Sequence, residues 1–249
     1  MTSMETYRQV LKSDRWGEWS KLETDQKRKV PLPAPQKPYP QDATLIDLIP
    51  PEDLTVGKMP LVEVIGRRKS RRKFTAGPLT LEELSFLLWA TQGVREVTRD
   101  GVTRRTVPSA GSRHPFETYL FANRVDGLER GLYRYLPLDH KLCFLYADAR
   151  LAEKVNDACR DQRFVGNSAV AFFWTVVPYR TEWRYSIISH KVIALDAGHV
   201  CQNLYLASEA LGAGTCAIGA YDQDKMDALL GVDGVEEFTV YVAPVGKVK

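Results

Sequence analysis

Six of the seven residues from Arg67 to Lys73 (RRKSRRK) are cations, and they surround one serine, Ser70. Arginine offers a planar fork of donors that matches phosphate oxygens or a polar ring edge, and a serine hydroxyl both donates and accepts. Taken alone, such a run is a solvated face, a nucleic-acid patch or an anion cradle. Here it directly follows the apolar stretch LVEVI (61–65) and ends at Phe74, which sets it against a core and favours a ligand. A second segment, TVPSAGSRHPF (106–116), gathers Pro108, Ser109, Ala110, Gly111 and Ser112 ahead of an apolar run. It reads as a plain connection or as a loop whose backbone amides approach a ligand closely, since little side-chain bulk stands in the way. A third, GAGTCAIGA (212–220), fits tight packing of helix on strand or another close approach. Cys216 lies within it without a histidine or carboxylate at obvious partner spacing, so thiol catalysis finds no support there. His190 and His199 stand nine residues apart, which is not a metal-ligand interval, and no metal centre is expected. His114, inside the small-residue loop, is the histidine best placed to meet a substrate. Neither G-x-x-x-x-G-K-[ST] nor G-x-G-x-x-G occurs, which removes the P-loop and dinucleotide-fold readings.

These segments need a scaffold. GPLTLEELSFLLWATQG (77–93) predicts a helix, with Thr80 and Glu83 at capping-box spacing and Gly93 as the stop. TYLFANRV (118–125) reads as a strand, and GLYRYLPLDHKLCFLYAD (131–148) as a hairpin turning near Pro137–His140. RLAEKVNDACRDQ (150–162) is an amphipathic helix, and the continuous apolar run SAVAFFWTVV (168–177) is a buried central strand. The segment from about Trp183 to Leu211 holds no proline and is apolar on more than one face. It predicts a long helix buried on most sides and ending at Gly212. A short helix begun by Asp222 or Asp224 and a closing strand (236–246) complete an α+β domain, without the βαβ rhythm of a Rossmann fold.

Residues 1–60 differ in character. Eight of the fourteen prolines fall between Pro31 and Pro60, which excludes regular helix and central strand. Leu45, Ile46, Leu48 and Ile49 favour an extended arm lying on a folded body over a disordered linker. The expected division is therefore an arm, 1–60, and a domain, 61–249. A formal net charge of +3 does not imply nucleic acid. The four cysteines are scattered without a Cys-x-x-Cys pair, which suits a reducing cytoplasm. With neither a signal-peptide core nor a membrane-length apolar run, the chain reads as soluble and cytoplasmic.

The order of the motifs carries a resemblance. The basic run ending in Phe74, the Pro-Ser loop before a strand, and the string DAGHVCQNLYLASEALGAGTCAIG (196–219) together resemble the nitroreductase family over residues 61–249. That last string, with GLYRYLPLDHKL (131–142), is similar to the SagB-type branch, which includes azoline dehydrogenases acting on thiazolines and oxazolines. The resemblance implies a nitroreductase-like fold, in which a mixed or antiparallel central sheet is flanked by helices and one long helix is buried. It further implies a homodimer with active sites shared at the interface, and FMN as the cofactor. Arg68, Lys69, Ser70 and Arg72 would grip the phosphate and the polar edge of the ring, with Arg67 as a close alternative. Pro108, Ser109, Ala110 and Ser112 would reach the flavin of the other subunit. Ile218, Gly219 and Ala220 would present backbone N–H groups near the flavin N5, and Lys247 or Lys249 would close on the phosphate. The implied chemistry is ping-pong transfer of two electrons from NAD(P)H or an organic substrate to a nitro compound, quinone or oxygen. Azoline dehydrogenases use an adjacent Lys-Tyr pair that this chain lacks. Tyr185, Lys191 and His190 are the substitutes by type, and no catalytic residue is assigned. The alternative class is a non-catalytic flavin-binding scaffold in a peptide-modification complex. A nucleic-acid module would spread its cations over one surface rather than cluster them beside an apolar helix.

Overall fold

A computed structural model describes residues 4–249. Helix α1 (Met4–Arg8) is followed by 3-10 turns as far as Lys21 and then by the proline-rich stretch. The arm contributes one strand, β1 (Leu45–Asp47), at the edge of the main sheet, where flanking prolines leave no central ladder broken. Helix α2 (Leu61–Arg67) leads into the basic run, and α3 (Leu81–Gln92) starts at the expected capping box. Thr80 Oγ1 accepts from the Glu83 amide at 3.1 Å, and Glu83 Oε2 accepts from the Thr80 amide at 3.0 Å. Two of the amides that a helix start leaves orphaned are thereby satisfied.

A small hairpin, β2 (Val94–Val97) and β3 (Thr103–Arg105), follows and was not foreseen from sequence. The main sheet then builds from β4 (Phe116–Ala122), β5 (Gly131–Leu136), β6 (Lys141–Tyr146), β7 (Val170–Val176), β8 (Ala213–Thr215) and β9 (Phe238–Lys247). Its spatial order is β1-β6-β5-β4-β7-β9-β8, and every ladder is antiparallel. Central β7 is wholly buried, as its unbroken apolar run predicts. Adjacent Phe172 and Phe173 serve opposite faces, because side chains alternate along a strand. Phe172 packs in the core under α3 and α6 (Ser189–Ala210); Phe173 packs in the core under α4 (Leu151–Ala158) and α7 (Gln223–Leu230).

The predicted long helix is corrected at its start. The chain forms α5 (Tyr179–Tyr185), a 3-10 turn over Ser186–Ile188, and only then the 22-residue α6. Ser186 sits at φ 48°, a left-handed conformation that cannot continue a right-handed helix. The far end agrees with expectation: α6 stops at Ala210, and Gly212 takes φ +64°. Asp222 caps α7 by accepting from the Lys225 amide at 3.1 Å.

The arm is held by buried charge. Arg105 and Arg134 donate to the carbonyls of Pro35 and Pro38, each at 2.7 Å. Glu117 accepts from the Lys37 amide at 2.9 Å and pairs with Arg180, while Lys37 itself pairs with Glu237. Proline carbonyls have no ladder partner, and these guanidinium groups take that place.

Candidate functional site

The basic run leaves α2 in extended conformation and joins the sheet edge. Ser70 bridges Thr215 in parallel, and the Arg71 amide donates to the Thr215 carbonyl at 2.8 Å. Arg68 and Ser70 both turn toward Tyr205 on α6. The Ser70 hydroxyl lies 2.9 Å from the Tyr205 hydroxyl, and the Arg68 guanidinium stands over the Tyr205 ring at 5.3 Å. Arg71 reaches Glu209, one turn further along the same helix, at 3.4 Å. Tyr205 also accepts from the Ala217 amide at 2.9 Å. One phenol on α6 therefore ties the basic run to the glycine-rich turn. Arg71, Arg72, Lys73 and Lys249 line a cleft of about 660 Å3 beside them. Lys247 points elsewhere and pairs with Glu83.

In the turn itself, Ile218 exchanges both backbone hydrogen bonds with Val242, at 2.7 and 3.2 Å. Its amide is thus occupied. The amides of Gly219 and Ala220 carry no intrachain bond among the described residues, and both residues are exposed. A side chain added at Gly219 would meet no atom within 4 Å, so the surface over this turn is open.

The Pro-Ser loop is built differently. Asp196, only 3% exposed on α6, accepts from the Ser109 hydroxyl at 2.6 Å and from the Ala110 amide at 3.2 Å. The Ser109 hydroxyl in turn accepts from the His114 amide at 2.9 Å. Gly111, Ser112 and His114 all take positive φ, at 58°, 54° and 45°. Pro108 remains exposed and Ser112 half-buried. Asp196 and Tyr205 are nine residues apart, two and a half turns, and so leave α6 on opposite faces about 13 Å apart along the axis. A single chain therefore unites the basic run with the glycine-rich turn but holds the Pro-Ser loop on the far side of the helix.

The nitroreductase family model matches residues 65–247, nearly three quarters of the chain. The chain belongs to the nitroreductase family. A Methanocaldococcus jannaschii protein named as a nitroreductase is 31% identical over 192 residues, covering 77% of this chain and 93% of that one. The trifolitoxin-processing protein of Rhizobium leguminosarum bv. trifolii is 28% identical over 138 residues, 52% of this chain and 36% of its own length. That likeness agrees with the SagB-type branch read from the sequence. The crystal structure of a nitroreductase from Ralstonia eutropha superposes with a TM-score of 0.67 at 25% identity, over 86% of this chain and 94% of that one.

Among the acid–base candidates read from the sequence, His190 Nε2 lies 3.3 Å from Glu182 on the wall of a cavity of about 640 Å3 that Gly219, Phe238 and Tyr241 also line. Lys191 donates to the Ser13 hydroxyl at 2.7 Å, which ties α6 to the N-terminal segment. Tyr185 is buried against Trp16 and Trp19. Its hydroxyl would lie 2.7 Å from a Cβ added at Gly111, so only glycine fits there. Burial, with Arg105 and Arg113 nearby, pushes the His114 imidazole down to about 3, which keeps it neutral near neutral pH. No helix among the described residues is long and apolar enough to cross a membrane. Sequence reasoning missed Asp196 and Tyr205. The only available signal was a lone acid and a lone phenol within an apolar helical string, at a spacing that sends them to opposite faces.

Proposed function

We propose that this protein is an FMN-dependent oxidoreductase acting as a homodimer with two shared sites. The observation that carries the reading is the Tyr205 hydroxyl, which joins Ser70 to Ala217 and so sets two of the three implied flavin-binding segments side by side. The residues fit the group. Four cations line one cleft, which suits a phosphate, and the amides of Gly219 and Ala220 face open space, which suits a ring carrying negative charge on reduction. When bound, FMN supplies two-electron transfer between a reductant such as NAD(P)H or an organic substrate and an acceptor such as a nitro compound, quinone or oxygen.

The chain's own part is to bind and orient. Arg68 and Arg72 hold anionic oxygen, with Lys69 alongside; Ser70 fixes a polar edge; of the two lysines that the resemblance offered, Lys247 and Lys249, it is Lys249 that closes the cleft. The Ile218 amide, by bonding Val242, holds the turn so that Gly219 and Ala220 aim outward. Pro108 and Ser112 lie on the loop lent to the other copy, where Ser109 and Ala110 shape the backbone. Residues 61–249 make up the flavin domain, and residues 1–60 are the arm, whose Pro35–Pro38 stretch is clamped across that domain. Four buried free cysteines support a reducing, cytoplasmic setting.

A visible spectrum tests this directly. Protein from a flavin-replete host is expected to be yellow and to release FMN, not FAD, on denaturation. Tyr205→Phe removes the shared hydroxyl and leaves the Ala217 amide unpaired, so it is expected to weaken FMN by about 5- to 100-fold, from roughly 1–3 kcal/mol. Colourless protein that also fails to take up added FMN would sink the reading. A second reading, a flavin-binding scaffold in a peptide-modification complex, is favoured by the likeness to a trifolitoxin-processing protein and by the missing Lys-Tyr pair. Turnover of a nitro compound or quinone with NADPH counts against the scaffold.

A further inference from the structure

We propose that Asp196 is the positioning residue for the half-site that each chain lends to its partner. The inference rests on the shared-site reading above. Asp196 is buried, and its carboxylate takes two hydrogen bonds from consecutive residues of the Pro-Ser loop, the Ser109 hydroxyl and the Ala110 amide. Through Ser109 it also governs the His114 amide, so one side chain sets both ends of the segment 109–114.

That segment does not hold its shape by itself. Ser112 and His114 occupy left-handed backbone, which L-residues adopt only where their surroundings impose it. Gly111 is wedged against Arg184 and Tyr185, where an added Cβ would approach within 2.7 Å. The Asp196 carboxylate holds the adjoining Ser109 and Ala110, and the two sets of contacts together fix the conformation. The Ser109 hydroxyl and the Ala110 amide are thereby committed inside the chain. Pro108 and the Ser112 hydroxyl, which has no partner among the described residues, are left to meet a ligand.

Direction completes the argument. Asp196 leaves α6 opposite to Tyr205, so the loop it fixes faces away from the basic run of its own chain. A ligand gripped by Arg68, Ser70 and Arg72 of one copy cannot pass through α6 to reach that copy's loop. The loop serves the other copy, and Asp196 acts in trans.

Mixed dimers decide this. A chain carrying Arg68→Ala and Arg72→Ala has a defective grip and a sound loop; a chain carrying Asp196→Ala has the reverse. Each variant alone is expected to bind FMN at least about 10-fold more weakly than wild type. Co-expressed with different tags and purified as the mixed dimer, the pair is expected to recover one tight FMN per dimer, read by flavin absorbance against protein. The recovered site combines the sound grip of one chain with the sound loop of the other. Wild-type affinity in the Asp196→Ala homodimer would overturn the inference, and so would a mixed dimer with no tight site. Asp196→Asn keeps the side-chain volume and one acceptor oxygen. Because one carboxylate oxygen takes both loop bonds, it is expected to retain tight FMN, whereas Asp196→Leu, of similar volume and with no acceptor, replaces the alanine chain if that yields no folded dimer and faces the same two outcomes. A colourless wild-type control removes the flavin reading as well, whereas a yellow wild type with an unrecovered mixed dimer removes this inference alone.

Discussion

His114 is a residue whose chemistry is changed by where the fold puts it. It sits at the end of the Pro-Ser loop, 3% exposed, with Arg105 and Arg113 close by. Burial first and those cations second lower its pKa to about 3, whereas an unfolded histidine titrates near 6.5. The folded state therefore binds fewer protons than the unfolded state between those values. Stability from this group is fully present above pH 6.5 and is lost as pH falls toward 3, at up to ~1.4 kcal/mol per pH unit. The urea midpoint is expected to drop steadily from pH 7 to pH 5. His114→Asn removes the titrating ring, and asparagine tolerates the left-handed backbone found there. It should flatten that slope, though not abolish it, because burial also lowers His140. An unchanged slope in the variant would place the acid sensitivity elsewhere.

At the scale of elements, the sequence exposes whatever is locally encoded. The capping box of α3, the apolar run of β7 and the hairpin of β5 and β6 are written in spacing and composition, and the structure repeats them. The hairpin of β2 and β3 is poorly marked in the sequence because VREV and TRR are largely polar, although Asp100-Gly101 is a turn signal and Gly101 takes φ +76°. The break between α5 and α6 has no local signal, since neither glycine nor proline marks it. The site divides in the same way. The three segments implied by resemblance were legible as strings, but their supports on α6 depend on helical phase and on which neighbour fills each face. Ser186 offers a test of the break. A serine at φ 48° is strained by about 1–3 kcal/mol and glycine is not, while glycine costs about 0.5–1 kcal/mol of extra chain entropy, so Ser186→Gly is expected to stabilise the fold by about 1 kcal/mol, or roughly 2–4 °C in Tm. A lower Tm would mean that the serine side chain holds the turn.

At the scale of the whole molecule, one copy leaves apolar surface uncovered where the shared-site reading needs a second. On α2, Leu61, Val62 and Ile65 are 63%, 78% and 59% exposed, and Leu195 on α6 is 53% exposed. Leu195 begins a stripe that continues through His199 and Gln202, at the spacing of one helical face. Exposed apolar residues of this size on two helices that touch in space fit the proposed interface better than scattered surface hydrophobics. On the proposed shared-site reading, two copies closing over α2 and α6 bring each Pro-Ser loop to the other copy's basic run, so that one contact would cover the apolar surface and complete both sites. An interface of this obligate kind is expected to bury more than ~2,000 Å2 in total. Folding, association and flavin binding are then linked, and each midpoint should move with protein concentration. On dilution, FMN release, loss of the dimer and loss of helical signal are expected to coincide. Sedimentation showing a folded monomer with FMN fully bound would contradict the shared site, because in a lone chain the loop fixed by Asp196 stands on the wrong side of α6.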